Sequence, residues 1–195
     1  MDRTRLRRKP QRGSHDRAVI DAIVDEALVC HLGFVAAHGP VVIPTTHVRC
    51  GDVLCIHGSA ASAMLTSLAT GIDACVTITL LDALVYARTA FHHSVNYRSV
   101  IAFGRATEIT DRAGKLAALA ALLDKLEPGR SQRCRPPNDK ELKATSVLAL
   151  PLTEASAKVR SGPPVPDDTP EDAALPYWAG VIPLVTARAA PIPAP

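Results

Sequence analysis

At 195 residues and 47% hydrophobic, with aromatics only 4% of the chain, the sequence supports one folded domain whose core is filled by Val, Leu, Ile and Ala. No apolar run approaches the roughly 18 residues of a membrane span, and the basic start lacks the apolar region of a secretory signal, so a soluble cytoplasmic protein is expected. Residues 1–17 hold seven Lys or Arg against two Asp within a net charge of +3, so the remainder is slightly acidic and is no nucleic-acid surface.

In chain order, a basic arm over residues 1–15 is either solvated or in contact with phosphate. Ile20, Ile23, Val24, Ala27 and Leu28 then recur at helical spacing, with Ser14 as a candidate cap. From Val29 the period changes to that of strands: VCHLGFVAA, VVIPTTHVRC and VLCIHGS read as three antiparallel strands, the last two joined at Gly51-Asp52. A two-residue turn there sets Cys50 against Val53 and Val48 against Cys55, and puts Thr45, His47 and Arg49 on one face and Thr46 and His57 on the other. ASAMLTSLATG predicts a short helix, and DACVTITLL alternates cleanly before continuing through DALVYART. HHSVN reads as a connection into the strand YRSVIAFGRATEI. Asp111 starts a helix with Leu116, Leu119, Leu122, Leu123 and Leu126 on one stripe, and another short helix follows Asn138. SVLALPLTEASAKVR reads as one strand, then come an acidic proline-rich loop, a last strand in YWAGVIPLV, and a loose tail over residues 186–195. Many short antiparallel strands with outer helices suggest a small barrel, mainly β with some α.

Four stretches carry candidate chemistry. Ser59 and Ser62, at the strand-to-helix junction after Gly58, are placed either to hold a phosphate or merely to cap the helix. The strand holding Pro44, Thr45, Thr46, His47 and Arg49 can hydrogen-bond a flat heterocycle, or it is the wet face of an edge. His92, His93, Asn96, Tyr97 and Arg98 enter a strand where binding groups are often displayed, and Arg98 suits a phosphate or carboxylate fork. Ser156, Lys158 and Arg160 alternate and so share one strand face, as an anion site or as partners of the acidic loop. The five cysteines form no CxxC pair and read as core thiols, so no metal site is expected. There is no GxGxxG, P-loop, GxSxG or HExxH.

Taken together in order, RTRLRRKPQRGSHDRAVIDAIVDEALVCHLGFV, VIPTTHVRCGDVLCIHGSAAS, HHSVNYRSVIAFGRA, EASAKVRSG and YWAGVIPL resemble the pyridoxamine 5′-phosphate oxidase-related flavin-nucleotide-binding proteins, including their nitroimidazole-resistance branch. That resemblance implies a split β-barrel with peripheral helices over residues 16–185, acting as a homodimer with FMN, or FAD, at the interface. It implies that Pro44, Thr45, Thr46, His47 and Arg49 run beside the isoalloxazine, and that His57, Ser59 and Ser62 surround the ribityl phosphate. Asn96, Tyr97, Arg98 and Ser99 would lie where a barrel strand meets the cofactor, and Trp178 would approach it from the partner. Lys158 and Arg160 are assigned near the phosphate on weaker grounds. Ala63 and Met64 stand where the oxidases proper carry a basic residue, and the chain ends in ARAAPIPAP instead of their arginine-rich segment. The expected function is therefore a flavin-dependent oxidoreductase acting on a small organic substrate, not pyridoxamine phosphate oxidation. The alternative is a flavin or haem carrier or sensor without turnover, with His31, His47, His57, His92 or His93 as an axial ligand.

Overall fold

The structure is a computed structural model that describes residues 3–194. Its elements run β1 (Gly13–Ser14), α1 (Arg17–Glu26), β2 (Val29–Ala36), β3 (Gly39–Cys50), β4 (Val53–Ser59), α2 (Ala63–Ala69), β5 (Asp73–Tyr86), β6 (Ser94–Arg105), β7 (Thr107–Glu108), α3 (Arg112–Leu126), α4 (Asp139–Ala144), β8 (Thr145–Pro151), β9 (Glu154–Arg160), α5 (Pro170–Ala173) and β10 (Gly180–Pro183). The strands order as β1-β9-β6-β5-β2-β3-β4-β8-β7, with β10 paired to β5. By contacts the chain forms two compact units: the chain up to Thr79 with Ser99–Lys158, and Leu80–Arg98 with the chain from Val159 onward.

In the first unit, Gly51 adopts a left-handed φ of 62° and makes the expected two-residue turn, so Cys50 pairs Val53, Val48 pairs Cys55 and His47 pairs Ile56. The alternation of β2 buries Cys30, Leu32 and Phe34 and leaves Val29, His31 and Val35 exposed. Helix α1 buries Ile20, Ile23 and Val24; its cap is Asp16, which accepts from the Ala18 N–H, while Ser14 accepts from the N–H of Asp16 instead of capping the helix. Helix α3 packs Ala118 and Leu122 on Val48, Cys55, Val147 and Ala149. Its leucines span too wide an arc for one buried stripe: of the five, only Leu122 is buried, and Leu126 is exposed.

The stretch read as one strand over residues 146–160 is two. β8 pairs β4, the chain turns at Leu152 and Thr153, and β9 pairs β1. The Leu152 N–H holds that turn by donating to the Asp52 carbonyl at 2.9 Å. Strand β6 begins at Ser94, three residues before the expected start at Tyr97, so Asn96 lies inside it and not on a connection.

In the second unit β10 pairs β5 from Gly180↔Tyr86 to Pro183↔Ala83. The acidic loop is tied down by Asp167, bonded to Arg88 at 2.9 Å, and by Asp168, bonded to His92 at 2.9 Å.

Candidate functional site

Directly opposed residues of paired strands share a face. His31 pairs Pro44 on one side and Thr77 on the other, so these three form a row across β3, β2 and β5. Thr46 belongs to the same face, because it pairs Val29. Thr77 and Thr79 then open into a cleft of about 250 Å³, with Ser99 and Ile101 of β6 and Ser156 and Lys158 of β9. Ser99 Oγ donates to the Lys158 carbonyl at 3.2 Å, which holds β6 and β9 in step at the cleft. The three strands β5, β6 and β9 thus offer four hydroxyls and one ammonium around an open hollow.

Residues 3–6 lie along the cleft and help to line it. Arg3 is pinned by Glu154 at 2.5 Å, by Asp73, and over the Phe103 ring at 4.8 Å, while Thr4 is buried and shares a 3.1 Å hydrogen bond with His15. The basic arm is therefore partly docked onto the first unit. Charge counting missed this, because the acceptors Asp73 and Glu154 stand far along the chain.

The neighbouring strand residues go elsewhere. Thr45 pairs Cys30 and shares the face of His47 and Arg49. His47 is only 1% exposed; its Nε2 lies 3.0 Å from the Val24 carbonyl and 3.0 Å from Lys125 Nζ. Burial, reinforced by Lys125, pushes its pKa down to about 4, so the ring is neutral. Burial likewise brings Lys125 down to about 8. Arg49 forks onto Asp25 at 2.9 and 2.6 Å, which raises its pKa. Neither His47 nor Arg49 reaches the open face.

His57 lies beside Ala118, Leu119 and Leu122 of α3; its Nδ1 is buried without a partner, and burial lowers its pKa. Ser59 Oγ accepts from the Ala61 N–H at 3.2 Å, which is a local turn bond. Ser62 occupies the N-cap position of α2 with no side-chain cap bond.

The second unit holds the remaining predicted residues. Arg160 and Asn96 are both buried and bonded to each other; Asn96 Nδ2 donates to the Gly162 carbonyl at 3.0 Å, and Arg160 to that of Pro163 at 3.4 Å. Arg98 forks onto Asp82, with its shortest contact at 2.7 Å. Tyr97 is half-buried in the strand. Trp178 is 61% exposed and packs on Tyr86 with ring centroids 5.8 Å apart. The cleft thus unites Ser99 and Lys158, whereas Asn96 and Arg160 serve each other.

Ser156 belongs to the anion site that strand alternation suggested with Lys158 and Arg160, whereas Thr77 and Thr79 were not singled out. Their signal was present in the alternation of DACVTITLL, which sets Thr77 and Thr79 against Ala74, Val76 and Ile78. Among the described residues no cluster of His, Cys, Asp and Glu has the arrangement of a metal site, and all five cysteines are free. No helix of the described residues is long and apolar enough to cross a membrane.

Residues 16–159 match the pyridoxamine 5′-phosphate oxidase family model, and the chain belongs to that family. Its mainly antiparallel architecture with peripheral helices is the split-barrel fold class expected from the sequence. The structure of the flavocytochrome Anf3 from Azotobacter vinelandii is 42% identical, covers 100% of this chain and 90% of its own, and superposes with a TM-score of 0.92. The FAD and haem binding protein from Mycobacterium smegmatis is 40% identical over 94% of this chain and 89% of its own, with a TM-score of 0.88. A 5-nitroimidazole antibiotic resistance protein from Bacteroides thetaiotaomicron shares the fold at 22% identity, over 75% of this chain and 86% of its own, with a TM-score of 0.63. Comparison with curated protein sequences gives no match.

Proposed function

We propose that this protein is a homodimeric redox protein that binds flavin, as FAD rather than FMN, together with haem, in the cytoplasm. The observation that carries the reading is that two structures at 42% and 40% identity, covering nearly the whole chain, are a flavocytochrome and an FAD and haem binding protein. Five free thiols accord with a reducing compartment.

The residues present fit a flavin nucleotide. The row of Pro44, His31 and Thr77 is a shallow strip suited to a flat ring system, and it leads into the hydroxyl-lined cleft beside Lys158. Lys158 and the hydroxyls of Ser99, Thr77, Thr79 and Ser156 would hold the anionic phosphates, with Thr46 at the far end of the strip. Ser59, Ser62 and His57 remain candidates for the rim. Val29, Val35 and Val42, at 44%, 71% and 66% exposure, lie on the same sheet face and give a second copy an apolar surface to cover. Trp178 is exposed enough to reach a partner's cofactor.

When bound, flavin supplies the exchange between two-electron and one-electron chemistry that a haem centre requires. The chain's own part is to orient the ring by hydrogen bonds from the strip, neutralise phosphate charge with Lys158, and exclude water with the partner's apolar face. None of these tasks requires a catalytic acid. The reading in which the flavin serves a small organic acceptor would leave the haem of both similar proteins without a counterpart.

Lys158→Ala is expected to weaken FAD binding by about tenfold, near 1.4 kcal/mol, measured by quenching of flavin fluorescence on titration with FAD and, in parallel, FMN. Unchanged affinity would remove the cleft from the site. Tighter binding of FMN than of FAD would reverse the choice of cofactor.

A further inference from the structure

We propose that His93 is the imidazole that ligates haem iron through Nε2, with Tyr86 and Trp178 as the adjoining wall of the haem site. The proposal rests on the reading that this chain binds haem, and it deepens that reading by naming the ligand.

A metal-binding histidine needs one ring nitrogen with a free lone pair, and the other is almost always held by a hydrogen bond that fixes the tautomer and the ring plane. His93 Nδ1 lies 3.1 Å from the Thr89 carbonyl. A carbonyl oxygen only accepts, so Nδ1 carries the proton and Nε2 keeps its lone pair. The side chain is exposed, and no hydrogen bond occupies Nε2 among the described residues. His93 directly follows the short 3-10 turn Ala90–His92, whose N-cap is Thr89, so the orienting carbonyl and the ring belong to one local structure.

The other histidines lack this combination. His47 is buried with its Nε2 engaged, and His92 Nε2 is bonded to Asp168 at 2.9 Å. His15 Nε2 is bonded to Thr4. His57 has a buried Nδ1 with no partner, so nothing orients its ring. His31 and His38 are exposed, and no hydrogen bond among the described residues holds either ring.

The surroundings of His93 suit a flat apolar macrocycle. Its ring meets the Tyr86 ring edge-on with centroids 5.5 Å apart, and Tyr86 in turn packs on Trp178. Trp178 is 61% exposed and Phe91, two residues before His93, is 88% exposed. Folding alone does not leave aromatic rings uncovered on one unit without cost, and a haem laid against them would remove them from water.

Haemin titration of the full chain, read by absorption and by the electron paramagnetic resonance of the ferric form, tests the proposal. Wild-type protein is expected to shift the haemin band, His93→Ala to lose at least about tenfold in affinity with a changed spin state, and added imidazole to restore the wild-type spectrum. His38→Ala, an exposed histidine outside the flavin strip, should bind as wild type does. A wild-type spectrum in His93→Ala, or loss of haem in His38→Ala instead, overturns the assignment. Failure of the wild-type chain to bind haemin at all overturns the haem reading itself. Since the His93 side chain is exposed, far-ultraviolet circular dichroism of the variant should match wild type.

Discussion

Asn96→Leu is expected to destabilise the protein by about 3 kcal/mol, read as a lower midpoint in urea denaturation followed by the fluorescence of Trp178. Asn96 is 7% exposed and Arg160 is 6% exposed, and their side chains are joined by a charge-assisted hydrogen bond. The substitution deprives a buried guanidinium of one acceptor and the Gly162 carbonyl of its donor. A buried cation short of an acceptor costs more than the bond is worth when made, because its lost hydration is not replaced. The turn after β9, where Gly162 adopts a φ of 94°, should loosen with it. A loss below about 1 kcal/mol would mean that Arg160 is satisfied by its other acceptors and that Asn96 is dispensable to the fold.

Stability should also fall by about 3 kcal/mol as pH drops from about 6.5 toward 4, through His47 alone. The ring titrates near 6.5 when unfolded and near 4 when folded, because burial disfavours its charged form. Between those values the unfolded chain binds more protons than the folded one. The contribution is thus fully present above about 6.5 and is lost as pH falls through the folded value. Lys125, lowered to about 8 by burial, acts at higher pH and leaves this window clear. His47→Gln keeps a donor for the Val24 carbonyl but does not titrate, so its stability should be flatter than wild type over pH 4 to 6.5. Parallel curves for the two proteins would place the imidazolium cost elsewhere.

Both residues had looked like cofactor contacts in the sequence, and they show where pattern reading stops. The Gly51-Asp52 turn and the strand alternation around it are local, so the register of β3 on β4 was legible residue by residue. That register already put His47 on the face opposite Thr46, but nothing local says which face a helix will cover. Helix α1 covers the His47 face with Val24, and Lys125 comes from a helix far along the chain. The polar run from Asn96 to Arg98 has the same ambiguity. A polar side chain in a strand is either offered to a ligand or satisfied within the fold, and only the positions of Arg160 and Asp82 decide. The break between β8 and β9 was hidden because Pro151 and Leu152 continue an apolar run without a glycine to mark the turn. Ser99 and Lys158 were picked out individually, and their meeting at one cleft depends on the pairing of β6 with β9.

The most direct test of the flavin and haem reading is one absorption spectrum. The full chain is loaded with FAD and haemin, passed through a size-exclusion column, and measured in the eluted protein peak. Retained flavin and haem bands in one peak, at the elution volume of a dimer, are the predicted result. A peak that carries neither chromophore would contradict the account and leave the split-barrel fold without its proposed cofactors.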